Sequence, residues 1–344
     1  MPPGSHGPRP REQAGGASPA EPFGDRLAAA VATRESQVVL GIDPDPSALW
    51  PTALEGMAES RARLVLALAD AERSVGLDAG QGDRAARLET AAAVLAHCRE
   101  LIDAAGPACV AVKPQLACFE RLGFPGWLVL EGTIAHARGQ GLLVIADAKR
   151  GDVPTSAQAY AQAVFAGVAT PYGPSPGLAA DAVTLNPLLG RDSLAPLVAG
   201  ARALGGGVFI LVRTSNPDAS DLFDAELAAG GPLWELIAGR VAAAGTAGPR
   251  SGLADVGAVC GATVPGHLAR MRQLMPRTPF LLPGIGAQGG SVAELAPAFA
   301  PGRAGGLVSA SRSIAGAHET AGTDPAEAAR GAAERLREQA WALA

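Results

Sequence analysis

Only two of the 28 basic residues are lysines, Lys113 and Lys149, and every other positive charge is an arginine. Each lysine closes an apolar, β-branched run: Ala-Cys-Val-Ala-Val precedes Lys113, and Leu-Leu-Val-Ile-Ala-Asp-Ala precedes Lys149. An ammonium is compact, responds to its surroundings and can give up a proton, which a guanidinium does not. Around Lys149 the chain reads Asp147-Ala148-Lys149-Arg150-Gly151-Asp152, two carboxylates about one ammonium. Residues i and i+2 of a strand share a face, so Asp147 and Lys149 are expected to point the same way. Exposed, they would be an ordinary ion pair. In a closing pocket they would be a preorganised charge array that stabilises charge as it develops.

A second cluster lies toward the C-terminus. Gly284-Ile285-Gly286-Ala287-Gln288-Gly289 matches G-x-G-x-x-G, which invites a dinucleotide-binding reading. That reading needs further βαβ units, for which the motif comes too late in the chain, and an acidic residue at the end of the next strand, where there is none. The same glycines instead suit a phosphate cradle of backbone N–H groups shared by two late loops, with Arg312 as the bidentate cation.

These residues need a scaffold that brings distant strand ends together. Short β-like runs recur at 37–42, 108–113, 142–147, 181–185, 207–212, 256–261, 279–282 and 306–310, alternating with helix-period segments at 56–73, 115–139, 153–166, 190–204, 222–245, 265–275, 290–299 and 324–343. Eight βα units predict an α/β fold, and a single-domain (β/α)₈ TIM barrel over 23–344 fits them slightly better than a doubly wound sheet. The excess length falls at about 74–105, read as a helical insertion, and in the Pro/Gly-rich stretch 167–180. A barrel demands that chemistry follow the strands. Asp43, Lys113, Asp147, Lys149, Asn186, Arg213 to Asn216, Gly261 to Thr263, Pro283 to Gly286 and Ser309 to Arg312 all stand at strand ends.

Composition narrows the classes. At 344 residues, 48% hydrophobic and 18% charged, the chain can bury a large core. No run of about eighteen uncharged apolar residues appears, so no membrane span is expected. A net charge of −5 without a Lys/Arg stripe argues against nucleic acid and for a small-molecule substrate. Residues 1–22 are Pro/Gly/Ala-rich and lack an apolar core, which reads as a disordered tail rather than a signal peptide. The four cysteines lack C-x-x-C spacing and read as buried thiols, with cytoplasmic residence expected.

The ordered set of D-x-K-x-x-D at 147–152, Asp43 in GIDP, Lys113 in VKPQLACFE, Thr214-Ser215-Asn216, and LLPGIGAQGG followed by SASRSI resembles the orotidine 5′-phosphate decarboxylases, especially their longer bacterial branch. The resemblance runs from about residue 22 to the C-terminus. It implies a (β/α)₈ barrel that converts orotidine 5′-phosphate to UMP and CO₂, the last step of UMP synthesis, with no metal and no organic cofactor. It also implies roles. Asp43 and Lys113 would bind the ribose, with Lys113 also joining the catalytic charge network, Asp147 would face the substrate carboxylate, and Lys149 would donate the proton to C6. Asp152 would enter from the partner of a homodimer. Ser215 would contact the pyrimidine, and Gly286, Gln288 and Arg312 would hold the phosphate, with Pro283 and Gly284 in the same substrate-binding loop.

Two rival readings stay open. A Mg²⁺-dependent sugar-phosphate decarboxylase or synthase on the same barrel would need a further carboxylate at an earlier strand end, where this chain has Lys113. A non-catalytic barrel that binds a phosphometabolite would have no need of an acid–base array.

Overall fold

Eight runs rich in Val, Ile, Leu and Ala form strands β1 (Val38–Ile42), β2 (Ala111–Pro114), β3 (Leu143–Arg150), β4 (Ala182–Leu185), β5 (Gly207–Arg213), β6 (Val256–Cys260), β7 (Phe280–Pro283) and β8 (Gly306–Ala310). The computed structural model describes residues 20–55, 58–74, 76, 81–286 and 289–344. Of the tail expected over 1–22, residues 1–19 lie outside these. The strands pair in parallel, and β1 joins both β2 and β8, so the sheet closes into the expected eight-stranded barrel. β1, β2, β4, β5, β6 and β8 are buried along their whole length. Such strands pack side chains inside the barrel and helices outside it, so their sequences read as apolar runs rather than as an alternation.

The helices alternate with the strands, but several differ from the periodicity reading. The segment at 115–139 divides into Leu116–Glu120 and Phe124–Gly139 at Gly123, whose φ of +68° turns the chain. The segment at 222–245 yields Ser220–Phe223 and then Leu233–Ala244, which starts only after Pro232. Val292–Phe299 is a 3₁₀ helix, with Pro297 lacking the N–H an α-helix would use. The stretch 167–180 holds a small exposed hairpin, Val168–Thr170 with Gly173–Ser175. Within 74–105, helix Gln81–Ala105 packs against Phe124–Gly139 and Pro325–Leu343, with Leu88, Val94, Cys98, Leu101 and Ile102 buried. It covers the β1-to-β2 crossover as a member of the outer ring, while Ala58–Ser74 packs on it.

Two register shifts occur in the barrel, at Ala146/Arg150 in β3 and at Leu211/Arg213 in β5. Both fall at C-terminal strand ends, where a bulge re-aims side chains.

Candidate active site

The C-terminal strand ends open onto one cavity of about 910 Å³. Asp43 after β1, Lys113 on β2, Asp147 and Lys149 on β3, Ser215 after β5, Pro283 and Gly284 at β7 and Arg312 after β8 all line it. The parallel register brings these residues together from across 270 positions of sequence, counting from Asp43 to Arg312 inclusive.

Asp147 is the centre of the charged array. Its Oδ2 accepts from Lys113 Nζ at 2.5 Å and its Oδ1 from Lys149 Nζ at 2.6 Å. Thr184 Oγ1 donates to Oδ1 at 2.8 Å, and Gln115 Nε2 to Oδ2 at 3.3 Å. Asp147 is only 5% exposed and Lys113 only 7%. Burial by itself would raise the Asp147 pKa, but the Lys113 and Lys149 ammonium groups outweigh it and hold this carboxyl far below the usual carboxylate range. Burial likewise opposes the charge on Lys113, and Asp147 and Asp43 reverse that, keeping it above the ordinary lysine value. Both partners therefore stay ionised although buried.

Asp147 and Lys149 do converge, though not by the simple alternation of a flat strand. Lys149 has φ +47°, a left-handed backbone, and lies in the β3 irregularity. Its ammonium reaches Asp147 by this turn and remains the more open of the two lysines, with 44% of its side chain exposed.

Asp152 stands apart. It does not line the cavity, and its Oδ1 accepts the N–H of Val153 at 2.7 Å. After β5, Arg213 is buried and forms a fork to Asp224, Nε to Oδ1 at 2.8 Å and Nη2 to Oδ2 at 3.0 Å. It is thus a brace for the loop that carries Ser215. Thr263 Oγ1 donates to the Ser215 carbonyl at 3.2 Å, bracing that loop from β6.

At the opposite side of the mouth, Gly290 N–H donates to Gly284 O at 3.0 Å and Gly289 N–H to Gly286 O at 2.8 Å. Gly286 has φ +75°, and a Cβ there would come within 2.9 Å of Ser313 Cβ, so both conformation and space favour glycine. Gln288 lies outside the described residues. Arg312 opens the short helix Arg312–Ala315 with its side chain exposed at the cavity, and it has no ion-pair partner among the described residues. Unlike Arg213, it is free to meet an anion.

Thr184 and Gln115 escaped the reading of the sequence. Thr184 stands two residues before Asn186 in Asp181-Ala-Val-Thr-Leu-Asn, so the strand period was a usable signal. Gln115 directly follows Lys113-Pro114, and its proximity to Asp147 depends on the β2–β3 neighbourhood.

The family model described as orotidine 5′-phosphate decarboxylase / HUMPS family matches residues 63–332. An orotidine 5′-phosphate decarboxylase of Deinococcus radiodurans is 46% identical over 245 residues, covering 70% of this chain and 82% of that protein. One from Haloarcula marismortui is 40% identical over 301 residues, covering 88% and 89%. The solved structure of Leishmania donovani OMP decarboxylase superposes with a TM-score of 0.63 at 30% identity, over 94% of this chain and 98% of that one.

Proposed function

The chain belongs to the orotidine 5′-phosphate decarboxylase / HUMPS family, and on that premise we propose that it decarboxylates orotidine 5′-phosphate to UMP and CO₂. The observation that carries this reading is the Lys113–Asp147–Lys149 array at the barrel mouth. When the bond between C6 and the carboxyl carbon breaks, its electron pair stays on a vinylic carbon with no π-system to absorb it. A cation must therefore stand where that charge forms. Lys149 is the more open ammonium, and it gives a proton to C6 as CO₂ departs, then recovers one from solvent. Asp147, held ionised by two lysines, lies beside the departing carboxylate and fixes the position of both ammonium groups.

Asp43 and Lys113 bind the ribose hydroxyls, and Ser215 contacts the pyrimidine. Arg312 holds the phosphate together with Gly286 and Gln288, and Pro283 and Gly284 belong to the same substrate-binding loop. The remote phosphate lends binding energy to the transition state at the base. Residues 23–344 act as one catalytic unit, with 1–22 outside it.

The active form is a homodimer in which Asp152 reaches the partner's site. In its favour, Asp152 lies outside its own cavity, while Val153, Leu188 and Leu189 expose apolar side chains, Leu188 at the cavity itself. The compartment is the cytoplasm; the free Cys98, Cys109, Cys118 and Cys260 suit a reducing environment. No helix among the described residues is long and apolar enough to cross a membrane.

A Mg²⁺-dependent sugar-phosphate reaction fits the donor set less well. Both oxygens of Asp147 already accept from ammonium groups, and the β2 end offers Lys113 where a metal site would want a carboxylate. The deciding experiment follows ultraviolet absorbance as purified protein consumes orotidine 5′-phosphate, with and without EDTA. Turnover that survives EDTA is expected. Absence of turnover with tight UMP binding would instead favour a phosphometabolite-binding barrel.

A further inference from the structure

β3 and β4 lose their one-to-one pairing where the chemistry sits. Ile145 and Ala146 face Ala182 and Val183, and the next pair is Arg150 with Leu185. Asp147, Ala148 and Lys149 therefore stand opposite the single residue Thr184. A bulge of this kind removes ladder partners from the backbone, and buried N–H groups must find others. The Lys149 N–H donates to Thr184 Oγ1 at 2.9 Å, and the same hydroxyl gives its own proton to Asp147 Oδ1 at 2.8 Å. Thr184 is 1% exposed, and its branched Cβ restricts the rotamer that aims the hydroxyl. Asp147 Oδ1 in turn accepts from Lys149 Nζ at 2.6 Å.

We propose that Thr184 is a positioning residue for the decarboxylation, its hydroxyl closing a ring that runs from the Lys149 backbone through Asp147 to the Lys149 ammonium. The hydroxyl's one proton is committed to Asp147, so it acts through its neighbours and not on substrate. A non-glycine residue at φ +47° persists only where its surroundings over-determine it. Thr184 supplies that constraint from the adjacent strand, and so sets where the ammonium stands relative to the reacting carbon. The inference rests on the reading of Lys149 as proton donor.

The test compares Thr184→Val, Thr184→Ala and Thr184→Ser with the parent in steady-state decarboxylation, together with UMP affinity. Val and Ala, which lack the hydroxyl, are expected to lose about tenfold to a hundredfold in kcat while KM and UMP affinity stay within about threefold. Ser is expected to restore kcat to within about threefold of the parent. Three results would overturn the proposal: parental kcat in Val, a Ser variant as slow as Ala, or matching losses in kcat and UMP affinity that signal general collapse of the pocket. Should Val not fold, Ser against Ala still decides, and failure of both Val and Ala to fold would assign the hydroxyl to stability instead. A parent chain that leaves orotidine 5′-phosphate untouched would defeat the functional reading itself, a result separable from any difference among the variants.

Discussion

At the scale of single residues, the two lysines divide one task between a buried and an open ammonium. Lys113 fixes Asp147 from within the barrel, while Lys149 meets the same carboxylate from the mouth. Lys149→Arg keeps the charge but replaces a compact proton donor with a planar group that holds its protons. We expect kcat to fall by about a thousandfold with the fold intact, the contribution of a positioned general acid. Stopped assays with circular dichroism as the fold control check this, and retention of a tenth of the activity, only about 1.4 kcal/mol of barrier, contradicts the donor role. Arg312→Ala removes the one guanidinium at the mouth assigned to the phosphate. Its kcat/KM should fall steeply for orotidine 5′-phosphate and far less for orotidine, whereas equal losses would mean that Arg312 does not touch the phosphate.

At the scale of elements, the short helix Arg312–Ala315 is tied down by a cluster outside the charged array. Trp50 Nε1 donates to the Ala315 carbonyl at 3.0 Å, and the Trp50 N–H donates to His97 Nδ1, on helix Gln81–Ala105, at 3.2 Å. The Trp50 ring also meets the rings of His97 and His318 edge-on, at 5.1 and 6.3 Å. Burial, reinforced by His318, pushes the His97 pKa down to about 4. The folded state therefore resists a proton that the unfolded chain accepts near pH 6.5. Between about pH 6.5 and 4 the unfolded state binds more protons, so stability should decline as pH falls, by at most about 3 kcal/mol from this group. The shifted carboxylates, all moved downward, add their own losses below about pH 5. Urea titrations at intervals across this range should show the slope, and His97→Gln should flatten it. An unchanged slope in the variant would remove His97 as its source.

At the scale of the whole molecule, the question is whether one barrel completes a site. Asp152 sits on the loop beyond β3 with its carboxylate turned to its own backbone, away from the cavity. If each site joins Lys149 of one chain to Asp152 of the other, homodimers of Lys149→Ala and of Asp152→Ala are both nearly inactive. Subunit exchange between them then yields mixed dimers with one site free of both defects. Random pairing makes half the dimers mixed, so activity should return to about a quarter of the parental value per site. Mass-tagged subunits would verify exchange, and activity that stays at the homodimer level after it would place Asp152 within its own chain's function.

The sequence by itself determined the alternation of eight apolar β-runs with helical periods, which leaves a closed barrel or a doubly wound sheet, and the pairing of β1 with β8 decided for the barrel. The sequence also singled out Lys113, Asp147, Lys149 and Arg312, since chemistry in such a fold collects after the strands. What it left open depends on pairing between strands. Thr184 faces Asp147 by continuing the β3–β4 pairing of Ala146 with Val183, and it also receives the Lys149 N–H only because the register slips beyond that point; local periodicity records neither the pairing nor the slip. Arg213, one of the polar residues at the strand ends, is set by the fold against Asp224. Two arginines of one composition, Arg213 and Arg312, thus end with opposite parts, one paired and buried, the other open to the cavity. The difference lies in which carboxylate the tertiary structure brings within reach, a property of three-dimensional neighbours rather than of sequence spacing.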